Sequence, residues 1–318
     1  KTIYFSSNYQ DIDRRHLWSV AITGGQPKSL NTGEGNGAIQ FSPAITGDGT
    51  ELAYLHASPD TPAAVRVLHL KESDKPFRSI AAETFPKDFP RTKLVAPQQV
   101  IFKAADGLEI HVQLFLPKDA RPGEKLPAVI FAHGGPIRQM LLGWHYLYYY
   151  HNAYGFNQWL ASKGYAVLSV NFRSGVGYGY DFRQAPKRGA RGAAEYQDIV
   201  AGAQYLRSRS DIDAARIGMW GGSYGGYLTA MALARILATF HDADGRIAIP
   251  GFYDAVRLWP AKIREQMRSL PFTDEAFRHE VGAPALGGEQ GYTTLERIWT
   301  RPTCEVNGLL SGYTGEGA

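Results

Sequence analysis

The sequence predicts an α/β fold through its middle, an incomplete parallel sheet with helices between its strands, preceded by antiparallel β structure. Two observations carry this. Three continuous apolar runs, PAVIFAH, YAVLSVNF and ARIGMW, are each followed by a segment with helical spacing, the pattern of strands buried on both faces. Residues 1 to about 70 read differently, as short β-rich runs parted by Gly, Asn, Pro and Asp. The composition agrees: 44% hydrophobic, 12% aromatic and 20% charged residues describe a folded chain and exclude a disordered or collagen-like one. At 318 residues more than one core is expected.

In chain order, TIYFSS, HLWSVAI, ELAYLHA and VRVLHL form an antiparallel meander. The phrases LWSVAITGGQPKSL and FSPAITGDGTELAYL resemble the inner-strand and turn phrases of β-propeller blades, of which one or two cannot close a ring. From Lys71 to about Pro97 the chain is rich in Lys, Glu, Pro and Phe without a period, and reads as a connector. QQVIFKA and LEIHVQLFLP flank Asp106-Gly107 as an antiparallel hairpin. FNQWLASKG is a short amphipathic helix ending at Gly164, AAEYQDIVAGAQYLRSR a longer one, and GYLTAMALARILATF the helix after the third strand. The aromatic run Trp144, Tyr146, Tyr148, Tyr149 and Tyr150 is expected to pack in an interior loop rather than to line a pocket.

Ligands of such a sheet gather at the carboxyl ends of its strands, and two motifs fall there. In Gly221-Gly222-Ser223-Tyr224-Gly225 an apolar strand runs into a helix through small residues. A serine hydroxyl attacks a carbonyl only when exposed, activated by a base and faced by donors for the developing oxyanion. A sharp strand-to-helix elbow supplies the exposure, making Ser223 the candidate nucleophile and the backbone N–H of Tyr224 a candidate oxyanion donor. The second motif, His133-Gly134-Gly135-Pro136, follows the first parallel strand, and the Gly135 N–H is the candidate second donor.

The net charge of +4 is scattered, with Lys and Arg interrupted by acids rather than gathered into a stripe, and the densest runs, RRH at 14–16 and KRGAR at 187–191, read as solvated surface, so no nucleic-acid partner is predicted. One cysteine, Cys304, excludes an internal disulfide and leaves cytoplasm and periplasm both open. No run reaches membrane-spanning length, so a soluble protein without a membrane partner is expected. Because the sequence starts at Lys1, without a methionine, the natural N-terminus is expected upstream. Oligomeric state cannot be read.

HGGP, then NFRSGVGYGYDFR, the EYQDIV helix and GMWGGSYGGYLTAMAL occur here in the order found in prolyl oligopeptidase-family serine peptidases, and the chain resembles that family, especially its acylaminoacyl-peptidase and dipeptidyl-aminopeptidase branch, over about residues 1–235. The resemblance implies an α/β-hydrolase catalytic domain behind a β-propeller that screens access to the serine. It also implies hydrolysis of peptide bonds through an acyl-enzyme on Ser223, with no cofactor. A triad Asp and His should follow on later strands, and neither is identifiable. His241 and His279, with Asp242, Asp244, Asp254 and Asp274, stand in helix-end or loop text. The His241-to-Asp244 cluster lacks the further ligands a metal site requires, so no metal is expected.

HDADGRIAIPGFYDAV and GYTTLERIWTRPTCEVNGLLSGYTGEGA instead resemble the lid segment of carnosinase-like zinc dipeptidases, over about 233–318. The expectation is therefore a chimera joined within ALARILA. It divides into partial β-propeller and connector at 1–85, a truncated α/β-hydrolase domain at 86–235, and an unrelated α+β tail at 236–318. A zinc-dipeptidase-related or non-catalytic fusion fragment is the alternative, and an esterase the variant within hydrolases.

Overall fold

The computed structural model describes residues 1–30, 37–71, 77–189 and 194–239. Its N-terminal part forms two antiparallel sheets. Strands β1 (Thr2–Ser7), β2 (His16–Ala21) and β3 (Lys28–Ser29) make one. A four-stranded meander of β4 (Ile39–Ile45), β5 (Glu51–Ala57), β6 (Ala64–His69) and β7 (Arg78–Ser79) makes the other. In β5 the period of two sends Leu52 and Tyr54 inward, where they meet Leu17 and Leu68 in a core of their own. Besides β7, the described part of the connector holds two short 3-10 turns, Ala82–Thr84 and Arg91–Lys93.

The central sheet is mixed, which refines the all-parallel expectation. Strands β8 (Gln98–Lys103) and β9 (Glu109–Phe115) form the expected hairpin, and β9 pairs antiparallel with β11 (Ala166–Asn171). Strands β10 (Leu126–Ala132), β11 and β12 (Ile212–Gly221) run parallel, in the order β12-β10-β11-β9-β8. Every residue of β11 is buried, as a strand covered on both faces requires. Helices α3 (Glu195–Ser208) and α4 (Tyr224–Thr239) cover one face, with Ile130, Leu168, Val170, Leu206 and Leu228 in the shared core. Helix α1 (Tyr148–Ser162) covers the other, where Tyr154, Leu160, Phe115 and Val167 pack together. The short α2 (Tyr180–Arg183) follows β11. Strand β12 is the end strand among the described residues, and none of the described helices is long and apolar enough to cross a membrane.

The aromatic run corrects the sequence reading. Trp144 and Tyr146 precede the helix, but the run's last three tyrosines lie within it, because it begins at Tyr148 rather than at Phe156. Tyr150, Ala153, Tyr154, Asn157, Leu160 and Ala161 are all buried at helical spacing, so burial of this stripe overrides the modest helix propensity of Tyr, His and Asn. Trp144 is buried as expected, whereas Tyr146 is exposed.

Register brings the motifs together. Ala132 pairs with Val170 on one side and Gly221 on the other, so the HGGP loop, the NFR turn and the Gly-rich elbow leave the sheet at one edge.

Candidate active site

Ser223 stands where β12 turns into α4. It is exposed and holds φ 54, a left-handed conformation that a residue with a Cβ adopts only when its surroundings enforce it. The enforcement comes from two glycines. A Cβ on Gly221 would lie 2.4 Å from the Ala132 carbonyl oxygen, and one on Gly225 1.9 Å from the same atom. The elbow is therefore pressed directly on the end of β10, and neither position accepts a side chain. Gly225 N–H donates to Gly222 O at 2.9 Å and Tyr227 N–H to Ser223 O at 3.0 Å, closing the first turn of α4. Tyr224 opens this helix, and the N–H of a first helical residue has no acceptor within the helix.

The HGGP loop faces the elbow through Gly134. A Cβ there would fall 3.0 Å from Gly222 O, 3.1 Å from Ser223 Cβ and 3.3 Å from the Tyr150 hydroxyl, so the 134–135 peptide lies beside the serine. Gly135 holds φ 125 ahead of a cis bond to Pro136. His133 is fully buried, stacks on Phe172 with centroids 4.1 Å apart, and places Nδ1 2.8 Å from Gly134 O. Because a carbonyl only accepts, Nδ1 carries the proton. Burial lowers the His133 pKa to about 4, so the ring is neutral.

Tyr150 is the residue that sequence reasoning missed. Its ring packs with Phe131, Met140 and Ala153, while its hydroxyl reaches the point above Gly134 that Ser223 Cβ also borders. Burial raises its pKa, with Arg138 close by opposing that rise, so it is a neutral phenol able to donate. A repeat of the helical spacing back from Leu160 would have found its buried face, though not its neighbour.

The other motifs are structural. Arg173, at the end of β11, binds Asp198 of α3 through Nε at 3.0 Å and Nη2 at 2.7 Å, and its backbone N–H donates to the same carboxylate at 2.7 Å. Ser174 Oγ donates to Glu195 Oε1 at 2.5 Å, and Gly189 N–H to the same oxygen at 2.8 Å. These pairs fasten the turn after β11 to α3. The downstream candidates His241, His279, Asp242, Asp244, Asp254 and Asp274 lie outside the described residues, as does the tail resembling zinc dipeptidases.

Residues 153–277 match the prolyl oligopeptidase family. Over that stretch the chain is similar to this family. Human dipeptidyl peptidase 8 is 36% identical over 173 residues, covering 54% of this chain and 18% of that protein. Among solved structures, Porphyromonas gingivalis dipeptidyl peptidase 4 superposes with a TM-score of 0.60 at 25% identity, covering 76% of this chain and 32% of that one. Pyrococcus horikoshii acylaminoacyl peptidase superposes with a TM-score of 0.54 at 26% identity, covering 74% and 34%. The chain thus spans 18% of dipeptidyl peptidase 8 and about a third of each prolyl oligopeptidase-family structure. The family match also runs past residue 235, so the changeover placed within ALARILA finds no support.

Proposed function

We propose that this chain carries the nucleophile half of a serine peptidase site. Ser223 attacks the peptide carbonyl, and the N–H groups of Tyr224 and Gly135 hold the oxyanion of the tetrahedral intermediate. The observation that carries the reading is the elbow: a left-handed Ser223 pressed by Gly221 and Gly225 onto the end of β10, with the HGGP loop alongside. A peptide is favoured over an ester because the relatives are named as dipeptidyl and acylaminoacyl peptidases. The base and its orienting acid belong to residues outside those described; His133 does not serve, since its Nδ1 proton is committed to Gly134 O and its ring to Phe172.

The N-terminal sheets support partial propeller blades over 1–85, since a four-stranded antiparallel meander is the unit of a blade. The α/β-hydrolase part begins at 86. No separate unit is proposed at 236, because the family match continues across it.

The test is covalent labelling with a fluorophosphonate. The whole chain should label at Ser223, and Ser223→Ala should abolish labelling. A well-folded chain that stays unlabelled would mean an inactive site. A labelled chain that cleaves aryl esters but no peptide would replace the peptidase reading with an esterase one.

A further inference from the structure

A loop that flanks a reactive serine must be held to a fraction of an ångström, and the loop following Pro136 contains no regular structure to hold itself. Its restraints come from two distant parts of the chain. Asn171, the last residue of β11, clasps Met140 from both sides: Met140 N–H donates to its Oδ1 at 2.7 Å, and its Nδ2 donates to Met140 O at 2.9 Å. Val176 N–H donates to Arg138 O at 3.2 Å. From the N-terminal sheets, Leu142 N–H donates to Asp13 O at 3.1 Å, Gln139 Nε2 donates to Ile12 O at 2.8 Å, and Arg15 donates to Gln139 Oε1.

One carboxylate joins the two sets. Asp13 is 2% exposed. Tyr178 donates to its Oδ1 at 2.5 Å, His111 Nδ1 lies 3.0 Å from its Oδ2, and Gln99 donates to the same oxygen. Tyr178 in turn accepts from Asn171 Nδ2 at 2.8 Å and stacks on His111 with centroids 4.5 Å apart. Asn8 Nδ2 donates to Gly177 O at 2.8 Å, and a Cβ on Gly177 would strike Gln139. Burial opposes the charge of Asp13, but its three donors outweigh that and hold its pKa below the ordinary carboxylate value. Asp13 is therefore the point through which the β1–β2 turn, the NFR turn and the loop after HGGP are locked to one another.

Downstream the lock continues to the site. His145 Nε2 donates to Gln139 O at 3.2 Å, while its Nδ1 accepts from Leu147 N–H at 3.0 Å, which sets its tautomer. Its ring then meets Tyr150 edge-on at 5.3 Å, and the Tyr150 hydroxyl borders the space beside Ser223. We propose that Asp13 is a positioning residue for the Ser223 site: a buried carboxylate, supplied by the N-terminal sheets, that fixes residues 138–142 and through them the Gly134–Gly135 peptide and Tyr150. The sheets then act on the reaction through this lock, beyond any screening of substrate. This rests on Ser223 being the nucleophile.

The test compares the whole chain with Asp13→Asn, which keeps the size and removes the charge, and with Tyr178→Phe, which removes one donor. Two readouts are taken. Hydrogen exchange followed by mass spectrometry should show the amides of residues 139–142 exchanging about tenfold faster in Asp13→Asn, the size of one lost charged hydrogen bond, with those of β10 unchanged. Fluorophosphonate labelling should lose about tenfold in its first-order rate while half-saturation stays within about twofold, with Tyr178→Phe intermediate. Unchanged exchange at 139–142, or faster exchange throughout the central sheet, overturns the proposal. So does loop exchange that rises while the labelling rate does not fall. If the parent chain does not label at all, the nucleophile reading fails, and the exchange arm still decides whether Asp13 holds the loop.

Discussion

The elbow at Ser223 and the loop after Pro136 meet at one edge of the central sheet, and they are held in opposite ways. The elbow is a contact of backbone on backbone, in which the bare Cα atoms of Gly221 and Gly225 let α4 approach the carbonyl end of β10. The loop is held largely by side chains: Asn171 clasps Met140, Gln139 reaches Ile12 O, 127 residues away in the chain, and Tyr178 ties Asn171 to the Asp13 carboxylate. A backbone contact of this kind tolerates no added atom but needs no partner chemistry. A side-chain lock tolerates volume changes better, yet fails when one buried polar partner is removed.

The largest effect should come from the side-chain half. Asp198→Ala takes from Arg173, itself 3% exposed, its buried partner, leaving only the half-exposed Asp106 against its Nη atoms, and loosens the turn that presents Tyr178 to Asp13. A loss of about 3–5 kcal/mol is expected in urea unfolding, the range for breaking a buried ion pair from one side. A loss below about 1 kcal/mol would show that solvent reaches Arg173 readily and that the turn is held elsewhere.

On the backbone half, Gly225→Ala should slow fluorophosphonate labelling about 100-fold, because the elbow must shift by roughly an ångström to clear Ala132 O. Far-ultraviolet dichroism should change little, since the remainder of α4 is unaffected. Labelling at the parent rate would mean that the elbow and β10 separate at little cost.

Two buried histidines, His133 ahead of Pro136 and His145 in the loop after it, give the comparison a pH axis. Burial lowers His133 to about 4 and His145 to about 3, from an ordinary 6.5. Both therefore bind protons more readily unfolded than folded, so stability is full above about pH 6.5 and falls as pH drops toward those folded values, by up to ~1.4 kcal/mol per pH unit for each. Urea melts across this window should show the fall, and His145→Gln should remove about half of its slope. A slope unaltered in that variant would place the titration elsewhere.

The smallest effect isolates the strain at the elbow. With φ 54, position 223 favours glycine over alanine, so Ser223→Gly should be more stable than Ser223→Ala by about 1 kcal/mol. Equal stabilities would mean that the left-handed backbone is relaxed in the folded chain.

Much of the site was legible because its requirements are local. GGSYG between an apolar strand and a helix, and HGGP after another, are each satisfied within a few residues, and the structure sets both at one sheet edge. Tyr150 was not legible as a neighbour of Ser223, because its position follows from the packing of α1 against Phe131 and Met140. Asp13 was less legible still. In DIDRRH it reads as one more surface acid, and nothing nearby in sequence announces that His111, Gln99 and Tyr178 will converge on it.

By itself, then, the sequence determined the order of strands and helices, the place of the elbow, and the need for glycine around it, since hydrophobic period and backbone sterics act over a few residues. Only the tertiary structure decided that the sheet is mixed, that the last three tyrosines of the aromatic run are helical, and that an aspartate from the β1–β2 turn bonds the loop after Pro136. Those outcomes depend on which buried donors find which acceptors across the fold, and a hydrogen bond between distant residues leaves no period in the chain.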